Sequence, residues 1–200
     1  MTASTGRVRM SPESRREQLL ELGTRLLSTR TLDEISIELL AEEAGISRGL
    51  LYHYFGNKQE FHVAVVRRAV EDIYAITAPR DIEDPIEQLA VSLGAYVDYV
   101  SENYTGYVSL IRAAAGGNEE LRKIYQEARS ALTGRIFDIA GPEHLAALGV
   151  IDSEATRMLV DGWAAMVENV TVAWVEDAHG VTREELLKRL ALALPALVIT

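Results

Sequence analysis

Four residues suited to contact with another molecule share one face of a predicted helix. They are Arg48, Gly49, Tyr52 and His53. The guanidinium of Arg48 offers paired N–H groups that match O6 and N7 of guanine. Gly49 lets a helix backbone approach a groove closely, while Tyr52 and His53 suit contacts to phosphates or to base methyl groups. This arrangement predicts a surface that reads double-stranded DNA.

Three polar residues flank this face. Lys58, at the start of a later helix, supplies positive charge for a phosphate. Ser36 and Ser47 each precede a helix and can reach phosphates through the helix N-terminus. A structural alternative stays open, in which the serines are only helix caps and Lys58 is only a solvated charge.

The reading face needs a neighbouring helix to hold it in position. The segment SIELLAEEAGISRGLLYHYF, residues 36–55, contains both, with the supporting helix before Gly45 and the reading helix after it. Gly45 can take the positive φ that a tight reversal requires, and the helix before it is amphipathic. The apolar positions of that first helix are Ile37, Leu40, Ala41 and Ala44. The apolar face of the second helix consists of Leu51, Tyr54 and Phe55. This pattern predicts a helix-turn-helix, although an ordinary αα-corner would share the small residue and the glycine.

Longer motifs extend from Ser11 through Thr77. They are Ser36 at a helix start, A-E-E-A-G-I-S-R-G from Ala41, L-Y-H-Y-F from Leu51 and N-K-x-E-F from Asn57. On these motifs the segment resembles the N-terminal DNA-binding domain of the tetracycline-repressor (TetR) family of transcriptional regulators. The resemblance implies DNA contacts at the positions named above, and the rest of the chain matches only in outline, as a helical domain.

Nearly the whole sequence has helical periodicity, which predicts an all-α fold of about nine helices. We divide it into a flexible arm (residues 1–10), a three-helix helix-turn-helix DNA-binding domain (11–56), a connecting helix (57–78) and a helical effector-binding and dimerisation domain (79–200). In the last domain we expect helices at about 85–103, 105–115, 118–140, 153–178 and 183–198, with a further short turn near His144. The arm carries Arg7 and Arg9, which either touch a DNA groove or touch nothing.

The net charge of the 200 residues is −10, which is unfavourable for binding to DNA phosphates. The distribution of the charges along the chain removes this objection. Residues 1–70 contain ten Lys and Arg against nine Asp and Glu, whereas residues 71–200 contain ten against twenty-one. The acidity therefore lies in the second part of the chain. Since the first part is not strongly basic, we expect modest non-specific binding and a need for two copies on the DNA.

Composition and motifs also argue against several other classes of function. Cysteine is absent, which excludes disulfides, thiolate metal sites and cysteine nucleophiles and fits a reducing compartment. We find no secretory h-region and no apolar run long enough to span a membrane, so the protein is expected to be cytoplasmic. Catalytic and metal-binding motifs are missing from the sequence, and we expect no enzyme, no cofactor and no metal.

Aromatic and polar residues recur in helices of the second domain, and the resemblance implies that this domain binds a small-molecule effector. The candidate pocket residues are Tyr74, Tyr96, Tyr99, Tyr107, Tyr125, Phe137, Trp163 and Asn169. Arg112 interrupts an apolar helix, where an inward guanidinium would favour an anionic effector. The alternatives are a plain core for the aromatic residues, and a salt bridge to Glu168 or Asp161, or a surface position, for Arg112.

The last two predicted helices have apolar residues nearly all round. This pattern predicts that two copies pack them into a four-helix bundle, although both helices could instead be central in a monomeric core. The interface candidates are Met158, Trp174, Leu186, Leu190, Leu194 and Leu197. With these features, the resemblance to the TetR family implies a homodimeric repressor that binds a pseudo-palindromic operator and is released by a small molecule. The alternatives are a helical ligand carrier or interaction module that does not use DNA, and a small all-α enzyme.

Overall fold

The computed structural model describes residues 11–147 and 149–199, with the backbone alone at positions 142–144 and 147. In this part of the chain the regular structure is helical throughout. The elements are α1 (Pro12–Leu27), a 3-10 turn (Leu32–Glu34), α2 (Ile37–Ala44), α3 (Arg48–Phe55), α4 (Lys58–Ile76), α5 (Pro85–Glu102), α6 (Tyr104–Ala115), α7 (Glu119–Ala147), α8 (Glu154–Glu176) and α9 (Arg183–Val198). The predicted arm with Arg7 and Arg9 lies outside the described residues.

Helix starts follow the capping residues of the sequence. The Ser11 hydroxyl accepts the N–H of Ser14 at 3.2 Å, and a carboxylate oxygen of Asp84 accepts the N–H of Ile86 at 2.8 Å. These bonds satisfy backbone donors that the first helical turn leaves unpaired. The expected helices agree with the observed ones to within a few residues. The 3-10 turn was not predicted.

Helix α7 changes direction at Gly141, whose φ of 67° and ψ of 161° are not helical. The predicted helix end at this glycine is therefore confirmed as a break. Beyond it the backbone of residues 142–147 is again helical, as expected for the short turn near His144. Gly141 and Pro142 thus separate two helical stretches that run one after the other.

The first core lies among α1 to α4. Phe61 of α4 and Leu51 of α3 are fully buried, as are Ile37 and Leu40 of α2. Ala41 is almost fully buried as well, consistent with a close approach between α2 and its neighbours that a larger side chain would prevent. Helix α4 therefore fixes the position of α3 through its own first turns.

Helix α6 and the start of α7 complete this first core, although they belong to the second part of the chain. Leu110, Leu121 and Ile124 are buried in the same cluster as Phe61. Gly106 lies against α1 so closely that an added Cβ would come 2.0 Å from the carbonyl oxygen of Leu27. The sequence did not predict this packing, since the expected boundary at 57–78 lies before both helices.

The second core lies among α5, α7, α8 and α9, and it corrects part of the interface prediction. Leu186, Leu190 and Leu194 are buried inside this core of the single chain, so they do not form an outer surface. Trp174 is half-buried, and its indole N–H donates to the carbonyl of Val181 at 2.8 Å. The interface prediction for Leu186, Leu190 and Leu194 was wrong, because the protomer itself covers their side chains, whereas Trp174 stays partly exposed and its predicted role remains a prediction.

An apolar face nevertheless remains uncovered on α8 and α9. Met158 is 70% exposed and Leu197 is 43% exposed, as the interface prediction requires. Their exposed apolar neighbours on these helices are Leu159, Met166, Val170 and Leu192. Leu159, Met166 and Val170 lie on one side of α8, and a row of exposed large apolar side chains of this kind is typical of a protein–protein interface.

Candidate functional site

The turn between α2 and α3 has the geometry that the sequence predicts. Gly45 ends α2 in the left-handed region, with φ 63° and ψ 36°. The hydroxyl of Ser36 accepts the N–H of Leu39 at 3.1 Å, and that of Ser47 accepts the N–H of Leu50 at 3.3 Å. Both serines therefore cap their helices, and the capping role is sufficient to explain them.

Helix α3 separates cleanly into an outer and an inner face. The Arg48 side chain is 66% exposed and Tyr52 is 46% exposed, and Gly49 and His53 are also exposed. On the opposite face Leu51 and Phe55 are buried. The structure therefore brings the four predicted reading residues together on one solvent-facing surface. Leu50, not predicted as part of this surface, is partly exposed beside them.

Gly49 has no internal packing reason to be a glycine. A Cβ built at this position would meet only the Ser47 hydroxyl oxygen, at 4.0 Å. Since glycine inside a helix costs roughly 0.5–1 kcal/mol relative to alanine, the residue calls for an external reason. Close approach of the α3 backbone to another molecule is such a reason.

Lys58 stands at the first position of α4, beside the reading face. Its ammonium group donates to the backbone carbonyl of Asp33 at 3.2 Å, across to the 3-10 turn before α2. The side chain stays exposed, so the charge remains available to an anion. Lys58 thus has a structural contact that the sequence did not reveal and keeps the position expected of a phosphate contact.

His62, one turn further along α4, ties this helix to the segment that precedes α2. Its Nε2 lies 2.6 Å from the carbonyl oxygen of Ile35 and donates a hydrogen bond to it. Burial lowers the pKa of this imidazole below its usual value, which favours the neutral form. The bond holds α2 at a fixed place along α4.

Glu38 is a neighbour of the reading face that the sequence did not identify. It lies in the first turn of α2, and its carboxylate is 3.5 Å from a guanidinium nitrogen of Arg48. Both side chains are at least half exposed, so the pair is weak, at most about 1 kcal/mol. In the free chain this carboxylate competes with any DNA acceptor for the Arg48 guanidinium.

Glu38→Gln should therefore raise affinity for non-specific DNA by about two- to fivefold, because it removes the competing charge of an exposed ion pair. A filter-binding or anisotropy titration against random-sequence DNA measures this change. Glu42→Gln is the matched control, since Glu42 is exposed on the same helix and has no ion-pair partner among the described residues. Equal gains in both variants would mean that general repulsion, not the contact with Arg48, is responsible.

The second part of the chain encloses a cavity of about 1010 Å³, bounded by α4 to α9. Six of the predicted pocket residues line it, and they are Tyr74, Tyr96, Tyr107, Tyr125, Phe137 and Trp163. Its volume is at the upper end of the range for small-molecule sites. The wall includes residues of α4 and α6, the helices that also pack in the first core.

Three other predicted pocket residues lie elsewhere. Arg112 is exposed on α6 and does not line the cavity, so the expectation of an anionic effector based on it was wrong. Asn169 is exposed on α8, because it lies on the face opposite the core. The Tyr99 hydroxyl turns away from the cavity and donates to the carbonyl of Ala69 at 3.4 Å, and burial raises the pKa of this phenol to about 12.

A polar cluster crosses one region of the cavity wall, built from four helices. Glu168 of α8 accepts hydrogen bonds from Tyr107 at 3.1 Å and from Tyr125 at 2.5 Å. Arg129 of α7 lies 3.1 Å from the same carboxylate and also donates to Tyr125. Tyr96 of α5 is 2.7 Å from Tyr107. Burial raises the pKa of all three phenols, so each keeps its proton at neutral pH.

Sequence reasoning missed Arg129 and named Glu168 only as a partner for Arg112. A signal for Glu168 was present, since it falls beside Val167 and three residues before Thr171, both buried on the inner face of α8. A carboxylate on such a face requires buried partners. Which residues supply them depends on the packing of α6 and α7 against α8.

Over the residues that the structure describes, no group of three or more His, Asp or Glu side chains is placed to hold a metal ion. Within the same residues no helix is both long enough and apolar enough to cross a membrane.

Helix α3 is exposed, α2 supports it through the turn at Gly45, and a cavity lies among α4 to α9. These features define a DNA-binding regulator of the helix-turn-helix class. Residues 19–65 match the family model described as bacterial regulatory proteins, tetR family, and residues 85–195 match that of the tetracyclin repressor-like C-terminal domain. The chain belongs to the tetR family and is a transcriptional regulator with a helix-turn-helix DNA-binding domain.

Individual relatives agree with this assignment. A tetR-family transcriptional regulator from Streptomyces coelicolor superposes with a TM-score of 0.79 at 30% identity, over 94% of this chain and 82% of that one. The transcriptional activator FasR of Mycolicibacterium smegmatis is 21% identical over 178 residues, 88% of this chain and 79% of the relative. A Saccharomonospora viridis regulator, solved in complex with choline, shares the fold with a TM-score of 0.71 at 16% identity, over 94% of this chain and 99% of that one.

Proposed function

We propose that the chain acts as a homodimer on a pseudo-palindromic operator, represses transcription there, and is released when a small molecule enters the cavity. The observation that carries this proposal is that one helix, α4, belongs to both sites. Phe61 and Val65 of α4 pack in the core beneath α3, whereas Val70, Ile73 and Tyr74 line the cavity. A ligand that displaces the second half of α4 would therefore reorient α3.

Helix α6 supports the same coupling from the other side of the cavity. Tyr107 and Ile111 line the cavity, while Ser109 accepts a hydrogen bond from the N–H of Leu32 at 2.9 Å. Leu32 lies in the 3-10 turn just before α2. A ligand against α6 would thus act on the helix-turn-helix through a second contact.

The exposed apolar face of α8 and α9 supports the homodimer. Leu159, Met166 and Val170 recur at helical spacing along α8, and Leu192 lies on α9. Two copies would bury this face in a four-helix bundle and present two α3 helices to successive major grooves, about 34–36 Å apart. Mass measured in solution at low concentration tests this assembly, and a stable monomer would contradict it.

The direction of control follows from linkage. Since ligand and operator are proposed to prefer different orientations of α4, each should weaken binding of the other by the same factor. Operator affinity measured with and without saturating ligand, and ligand affinity measured with and without operator, should change by equal factors of about 5 to 150. Unchanged affinities would exclude release by the ligand, and tighter operator binding with ligand would indicate an activator.

A further inference from the structure

The chemical class of the cavity's ligand can be read from the distribution of polar groups along its wall. From Ile86 to Tyr96 the lining of α5 extends about 15 Å, and from Tyr125 to Ala140 that of α7 extends about 22 Å, at the rise of an α-helix. The lining is therefore elongated along these two helices. Away from the polar cluster along these two helices the lining includes Ile86, Leu89, Ile136 and Ile139, and the polar residues Glu83 and Gln88 lie close to Ile86 in the sequence.

Three of the polar side chains along the wall, Trp163, Thr133 and Arg135, already have partners within the chain. The indole N–H of Trp163 donates to the carbonyl of Leu190 at 3.0 Å, and the Thr133 hydroxyl lies 2.7 Å from the Asp161 carboxylate, to which it donates. Arg135 has its guanidinium over the Tyr74 ring, 3.4 Å from the centroid, and donates to the Tyr74 carbonyl at 2.5 Å. This part of the wall thus presents mainly apolar surface to a ligand.

The polar cluster at the other end carries no net charge. Its carboxylate, Glu168, is 17% exposed and is paired with the guanidinium of Arg129. A carboxylate or an ammonium group brought to this end would lie beside a carboxylate and a guanidinium that already neutralise each other. The cluster therefore favours an uncharged head group.

The direction of the hydrogen bonds specifies the head group further. A phenol has one proton, and that of Tyr107 goes to Glu168, so Tyr96 must donate to Tyr107. The proton of Tyr125 also goes to Glu168, at 2.5 Å. The oxygen of Tyr96 is left with free acceptor capacity at the cavity wall, which a hydroxyl or amide N–H can use.

We infer that the cavity binds an elongated aliphatic molecule that carries an uncharged hydrogen-bond donor, a hydroxyl or a primary amide, at the end held by Tyr96, Tyr107, Tyr125, Arg129 and Glu168. This inference names the ligand class of the site in the proposed function and rests on that proposal. The aliphatic chain fills the elongated part, and the head group donates to the Tyr96 oxygen.

Three probes of equal chain length test it, and they are dodecanol, dodecanoate and dodecyltrimethylammonium. Binding is followed on the full-length protein without DNA, through the change in tryptophan fluorescence that is expected because Trp163 lies in the cavity wall, at concentrations at which each probe is dissolved as single molecules. Dodecanol should bind about tenfold more tightly than either charged probe. A charged head group would lose its hydration beside a polar cluster whose two charges already neutralise each other, whereas a hydroxyl would not. Tighter binding of a charged probe, or no binding by any of the three, would overturn the inference.

Reciprocal charge variants sharpen the test. Glu168→Gln leaves Arg129 without its carboxylate and should shift the preference toward dodecanoate by about tenfold or more, whereas Arg129→Gln should shift it toward dodecyltrimethylammonium. Asn169→Ala is the control, because Asn169 is exposed and does not line the cavity. Identical preferences in all these proteins would show that the cluster does not hold the head group.

Tyr96→Phe covers the case in which a charge variant fails to fold. It removes the acceptor oxygen while keeping the ring, so dodecanol affinity should fall by about three- to tenfold. Unchanged affinity would contradict the role of Tyr96. If dodecanol bound but left operator affinity unchanged, the proposed function would be contradicted and the ligand class would stand. If only a molecule of another chemical class released the operator, the ligand class would be contradicted and the proposed function would stand.

Discussion

Arg48→Ala should sharply reduce the preference for the operator over random DNA, by at least about 30-fold. A bidentate contact from Arg48 to a guanine is worth about 1–3 kcal/mol, and a dimer makes it in both half-sites, so the loss is about 2–6 kcal/mol of specific binding. This corresponds to at least about 30-fold in operator affinity. Titration of operator and scrambled DNA with wild type and variant measures the ratio directly. Because the side chain is 66% exposed and its ion pair with Glu38 is weak, folding should be little affected.

Lys58→Ala provides the contrasting result. A lysine on a phosphate adds affinity for every sequence, so the variant should weaken operator and scrambled DNA by similar factors. Its dependence on salt should also become less steep, by about one unit of slope per contact. If Arg48→Ala lost affinity evenly for both DNAs, or Lys58→Ala lost it for the operator alone, the two roles would have to be exchanged. Unchanged binding in both variants would refute the assignment of this surface.

Gly106→Ala should destabilise the protein. The added Cβ would lie 2.0 Å from the Leu27 carbonyl oxygen and 2.5 Å from its Cγ, so α6 and α1 must move apart. Overpacking of this kind costs about 1–3 kcal/mol, or more when backbone atoms are involved. For a chain of this size the melting temperature should fall by about 2–12 °C, as measured by circular dichroism or calorimetry.

Gly134→Ala is the matched control for this prediction. Gly134 also lies within a helix, α7, but a Cβ there would meet no atom within 4 Å. Replacing a helical glycine in open space should stabilise the chain by about 0.5–1 kcal/mol. If both variants melted at the same temperature, the contact between α6 and α1 would be looser than the structure gives. Operator binding by Gly106→Ala would then also be expected to stay normal.

The helices of this chain could be predicted from sequence because their signals are local. Ser11, Ser36, Ser47 and Asp84 each stand at a helix start, and each proved to be a cap. The burial of α6 against α1 could not be predicted in the same way. In the sequence Gly106 looks like any small residue, because Leu27, which it contacts in the fold, lies far from it along the chain.

The same difference separates the two sites. The face of α3 follows from the spacing within eight residues, so Arg48, Gly49, Tyr52 and His53 were correctly grouped as exposed neighbours. The polar cluster joins Tyr96, Tyr107, Arg129 and Glu168 from four helices, and no local pattern relates them. Arg112 and Asn169 were misplaced for the same reason, since helical periodicity does not say which side of α6 or α8 meets the cavity.

Selection of bound fragments from random DNA tests the central assignment most directly. The wild-type protein should enrich a pseudo-palindrome whose half-sites lie about one helical turn, or 34–36 Å, apart, each with a guanine that Arg48→Ala no longer requires. Enrichment of no sequence, or of a single half-site without a symmetric partner, would contradict the proposal that this chain acts as a dimeric, sequence-specific regulator.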